Sequence, residues 1–131
     1  ALLHSAASYK KPMKDFLSDF MKDHQMNQHV LEKRFQKQLN AFQNEFTDTT
    51  EAVLAALGEK PFHITTGLNA AVFDAVFAAF ARHPDSVPKD IKTRYERLKR
   101  HSEFTKRITS ATTDVESVNY RLKVAHEVLF G

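Results

Sequence analysis

Apolar positions recur along most of this chain at intervals of three and four, the period that gathers side chains on one face of a helix. From about Pro12 to His24 the stripe is Met13, Phe16, Leu17, Phe20 and Met21, with the proline at a first-turn position that tolerates it. Asn27 can cap the next segment, whose stripe runs Leu31, Phe35, Leu39, Phe42, Phe46, Val53 and Leu57. Unbroken from 28 to 57, that helix would be roughly 45 Å long, more than a domain of this size needs. "DTTE" at 48–51 offers a second start, because an N-cap acceptor stands three residues before a glutamate. One helix or two is left open by the sequence, and Gly58 supplies the stop in either case.

After an irregular connection, "GEKPFHITTG" (58–67), comes "LNAAVFDAVFAAFARH" (68–83). Leu68, Val72, Phe73, Val76, Phe77 and Phe80 are joined there by six alanines. A helix that is apolar on nearly every side is one surrounded by others. "HPDSVP" ends it. A basic helix over about 89–100 follows, with the stripe Ile91, Tyr95 and Leu98. A short piece carries Phe104 and Ile108, and a last helix spaces Val115, Val118, Leu122, Ala125 and Leu129 regularly. Between the last two, "SATTD" stops one helix and starts the next: Thr113 and Glu116 have the spacing of a capping box. No strand is predicted. The expectation is all-α: one domain over 1–131, an irregular bundle of five to six helices around a central apolar helix at about 68–82.

Composition agrees. Three glycines and four prolines leave little material for the tight turns of an all-β fold. There is no cysteine, which removes disulfides and thiolate metal sites and fits a reducing, cytoplasmic setting. The opening "ALLHSAASYKK" lacks the continuous apolar core of a signal peptide. No apolar run reaches the roughly 18 residues that span a bilayer, so no membrane partner is expected. No initiator methionine is present, and the chain reads as a C-terminal piece of a larger protein.

Net charge is +3 but uneven: residues 89–107 carry eight Lys/Arg against three Asp/Glu, net +5, and the remainder 11 against 13, net −2. Lys89, Lys92, Arg94, Arg97, Lys99, Arg100, Lys106 and Arg107 are therefore the candidate contacts to a phosphate backbone. The alternative is a solvated helix face, with Asp90, Glu96 and Glu103 pairing along the helix.

Catalytic chemistry finds little support. With Gly only at 58, 67 and 131, neither a P-loop nor a dinucleotide fingerprint can be built, and no cofactor is expected. Thr109, Ser110, Thr112 and Thr113 cluster, but no glycine-flanked serine elbow occurs, and such hydroxyls cap helices. Seven histidines are scattered; His24 and His29 stand five apart, off the spacing that puts two ligands on one helical face, and no metal site is predicted. Asp74 lies inside the most apolar helix, where an unpaired carboxylate is costly. It needs either an arginine such as Arg121 or a place on the helix's exposed edge. Asn69 reads as the N-cap of that helix.

Three stretches carry a family likeness. "YKKPMKDFLSDFM" (9–21), "KPFHITTGLNAAVFDAVFAAFA" (60–81) and "FTKRITSATTDVESVNYRLKVAHEVLFG" (104–131) resemble the C-terminal helical region of the GmrSD-type family, and the Phe-rich 31–57 agrees in order. The N-terminal half of that family is a ParB/sulfiredoxin-like nuclease domain (domain of unknown function 262). The resemblance implies a bacterial restriction or phage-defence protein whose fuller form is a nucleotide-dependent DNA endonuclease. No "DGQQR"-like segment occurs here, so no catalytic residue carries over. The expectation is a non-catalytic accessory domain that supports the nuclease domain of the same polypeptide, touches DNA through 89–107, and can form a homodimer. The competing expectation is a helical protein–protein interaction module without nucleic-acid binding. A self-contained enzyme would need a pocket joining Asp74, a histidine and Arg121.

Overall fold

The structure, a computed structural model, describes residues 1–25, 32–64 and 67–131. Among them are seven α-helices: α1 (Leu2–Ser5), α2 (Met13–Gln25), α3 (Glu32–Leu57), α4 (Ala70–Ala81), α5 (Ile91–Lys99), α6 (Ser102–Thr109) and α7 (Val115–Phe130). A 3-10 turn, Ala6–Ser8, follows α1, and a single antiparallel bridge joins His63 to Leu68. Asn27 and the first residues of the 28–57 stripe lie outside the described residues.

Helix α4 is the centre, as its all-round apolarity requires. Ala71, Val72, Ala75, Val76, Phe77, Ala78, Ala79 and Phe80 are all buried. It packs against α7, α3 and α1, while α5 and α6 also lean on α7. The alanines let the neighbouring backbones come close; the phenylalanines supply the area, each fully buried one being worth about 1.5–3 kcal/mol. The main core joins α4 to Val53, Ile91, Tyr95, Leu98, Phe104, Ile108, Ala125 and Leu129. A second cluster sets Leu2 and Tyr9 against Ala78, Val118 and Leu122.

Both ends of α4 are fixed by specific chemistry. The Asn69 side-chain oxygen accepts from the Val72 N–H at 3.0 Å, the N-cap that its position predicts, and its amide donates to the Ile108 carbonyl at 3.0 Å. One residue thus caps α4 and ties it to the end of α6. Helix α3 runs unbroken through "DTTE" to Leu57, so 48–51 starts no new helix. It ends at Gly58, whose φ of +91° only glycine adopts without strain and whose N–H donates to the Leu54 carbonyl at 2.9 Å.

The "SATTD" break is built differently from the expected capping box. Asp114, not Thr113, is the N-cap of α7, and no side chain caps it. Glu116 instead accepts from Arg107 at 2.7 Å. What holds the break is tertiary. The Arg121 guanidinium donates to the Thr112 carbonyl, the Tyr9 hydroxyl to the Thr113 carbonyl, and Lys11 pairs with Asp114. Ala111 takes a left-handed φ of 51° there.

Candidate functional site: a basic face and an aromatic trough

The eight basic residues of 89–107 do not form one surface. Arg94 donates to Asp90 at 2.9 Å and reaches the carbonyls of Leu129 (3.2 Å) and Gly131 (2.9 Å); Arg97 donates to the Val128 carbonyl at 3.2 Å. These two cap the C-terminal carbonyls of α7, groups without helical partners that favour positive charge. Lys99 pairs with Glu96 at 2.7 Å and lies over the Tyr95 ring. Arg107 bonds Glu116 and Ser117 and stacks on Tyr120, 4.7 Å from the ring centroid. Lys89, Lys92, Arg100 and Lys106 are exposed, and among the described residues their side chains have no bonded partner. The segment is therefore half structural, holding α5 and α6 onto α7, and half solvated.

On the other side of α4 a cavity of about 310 Å³ opens between α1, α2, α3 and α4. Its walls are Leu2, Leu3, Phe20, Phe42, Phe46, Phe73, Phe77 and Ala78, and two carboxylates, Glu45 and Asp74, enter it. The aromatic rings run on from one another: Phe62 edge-on to Phe73, then Phe73 to Phe77 at 5.1 Å and Phe77 to Phe46 at 5.2 Å. At the far end His24 stacks on Phe20 at 4.1 Å and faces Phe42. Phe46 is 55% exposed and Met21, one residue on from Phe20, 57%. Leu17 and Leu39 are exposed on the same two helices. Over this stretch the stripes of α2 and α3 leave an open seam: Phe46 stays exposed, while Phe42 is half-buried against the rings of His4 and His24.

Asp74 is the pivot between trough and core. Arg121, 1% exposed, donates to it at 3.3 Å, so the arginine partner nominated by the sequence is the one found. Burial still holds the Asp74 carboxyl above its usual range, with the Arg121 charge opposing that rise. Burial lowers Arg121 likewise, with Asp74 opposing. The trough also receives His4, whose Nε2 lies 2.8 Å from Glu45. No hydroxyl lines it, so a nucleophile paired with a base is not assembled there. Its chemistry is that of an apolar slot with carboxylates at the wall.

Two features escaped sequence reasoning. Helix α1 is too short for any periodicity to reveal it, and its burial through Leu2 is a tertiary fact. His83 and His126, 43 residues apart, meet at 2.9 Å. Among the described residues no group of three or more His, Asp or Glu is arranged to hold a metal ion, and no helix is long and apolar enough to cross a membrane. No family model, curated protein or solved structure matches the chain.

Proposed function

We propose that this chain is a non-catalytic helical accessory domain that acts by docking, its aromatic trough receiving a surface of another protein domain. In the setting the sequence resemblance implies, that domain is the ParB/sulfiredoxin-like nuclease half of the same bacterial DNA-restriction polypeptide. One observation carries the reading: Phe46, in the wall of an aromatic slot, and Met21, next in sequence to the wall residue Phe20, stand more than half exposed. Large apolar side chains gathered around a concavity mark interaction sites, and aromatic anchors in such pockets dominate binding energy. A second reading, contact with a DNA backbone, is supported by the solvated cations Lys89, Lys92, Arg100 and Lys106.

One association assay between this chain and the separately expressed nuclease half separates the readings. Covering one phenylalanine is worth about 1.5–3 kcal/mol, tenfold or more in Kd. Phe46→Glu with Met21→Glu therefore weakens association at least tenfold while the isolated chain keeps its helical content and cooperative unfolding, and replacing the four cations by Ala does not weaken association. Association lost only with the cations, or only when DNA is digested, would refute docking through the trough.

A further inference from the structure

His83 and His126, 43 residues apart in the chain, converge onto one point. His83 follows the end of α4, its N–H donating to the Phe80 carbonyl at 2.9 Å, and His126 stands in the fourth turn of α7. Their Nε2 atoms are 2.9 Å apart, with ring centroids at 5.0 Å and planes inclined by 37°. The His83 ring is stacked on Phe130 at 4.5 Å and 9°, and Phe130 is packed edge-on against Phe80. Both imidazoles are half-buried, His126 on α7 and His83 just past the end of α4 with its ring stacked on Phe130, so their nitrogens are held rather than free to diverge.

We propose that this pair is a binding site for one borderline divalent cation (Zn²⁺, Cu²⁺ or Ni²⁺), held by the two Nε2 atoms with water in the remaining positions. Imidazole nitrogen is the ligand such ions take at about 2.0–2.1 Å. Two bonds of that length at a tetrahedral angle set the nitrogens roughly 3.3 Å apart. A spreading of a few tenths of an ångström, within small side-chain rotations, turns the observed contact into that geometry. Without an ion, one nitrogen must donate and the other accept. With one, both Nε2 lone pairs point at the metal and the two Nδ1 atoms carry the protons. Because no third protein ligand is assembled among the described residues, the ion stays open to water. It acts as a clip between the end of α4 and α7, and protons compete with it.

The test is a titration of the chain with Zn²⁺, with Mg²⁺ as control, followed by the imidazole ¹⁵N signals and by thermal unfolding. Expected are saturation at one ion per chain, movement of the His83 and His126 Nε2 signals together, and a rise in Tm that Mg²⁺ does not reproduce. Affinity should fall at least tenfold in both His83→Gln and His126→Gln, and the order should be Cu²⁺ above Zn²⁺. Should either variant unfold, the ¹⁵N signals of the unaltered chain decide alone. Shifts confined to His4, His24, His29, His63 or His101, or no saturable shift at 83 and 126, would overturn the site.

Discussion

Tyr95 sits with its ring in the main core and its hydroxyl on the Pro61 carbonyl, tying α5 to the 58–69 connection. Burial pushes this phenol up to about 12. The folded protein thus holds the proton that an unfolded chain releases near 10, and the native state binds more protons between those values. Stability from this group is intact below pH 10 and lost as pH rises toward 12. Tyr95→Phe should lose about 1 kcal/mol at pH 7, the usual worth of one hydrogen bond, and should flatten the decline between pH 10 and 12. Urea unfolding of both chains across that range checks it, and parallel pH profiles would contradict it. The sequence placed Tyr95 on the buried stripe of α5. It could not show the bond to Pro61, because that depends on how the connection folds back.

At the scale of elements, the cores of α4, α5, α6 and α7 were legible because each carries its periodic apolar positions onto a neighbour. Two stripe residues are exceptions: Leu68, which precedes α4, and Val115, at the first turn of α7, are both exposed. The basic segment was legible only in part. Charge density marks 89–107, but which cation caps a helix and which meets water depends on the C-terminus of α7, 31 or more residues away from the arginines that reach it. Arg94 and Arg97 belong to that terminus. Arg94→Ala should cost about 1.5–3 kcal/mol, the range of hydrogen bonds involving a charged group, and amide exchange should quicken at Val128–Phe130. Lys92→Ala on the same helix should stay within about 0.5 kcal/mol of the parent, as solvated positions do. Equal effects of the two substitutions would show that the carbonyl contacts do not hold the helix end. A DNA-binding test must therefore spare Arg94 and Arg97, whose loss would disturb the fold it is meant to preserve.

For the whole molecule, the all-α bundle about α4 followed from one sequence fact, a helix of alanine and phenylalanine with almost no polar side. The trough did not follow, since a stripe reads the same whether it meets two walls or one. Its openness appears only when α2 and α3 are placed around α4. There, Phe46 lies against Phe77 and stays more than half exposed, and Asp74 divides its environment between Arg121 behind and the slot in front. The same placement gives Asp74 a structural part: its partner is a buried guanidinium fixed to the Thr112 carbonyl, an arrangement that holds α7 and the "SATTD" turn to α4.

The most direct measurement is hydroxyl-radical footprinting of Met21 and Phe46 in the isolated chain and in the same chain joined to the nuclease half proposed above. Leu68, 65% exposed and outside the trough lining, serves as the internal reference. Docking through the trough predicts that oxidation of both residues falls severalfold in the joined protein while Leu68 is unchanged. Equal oxidation of Met21 and Phe46 in the two proteins would contradict it.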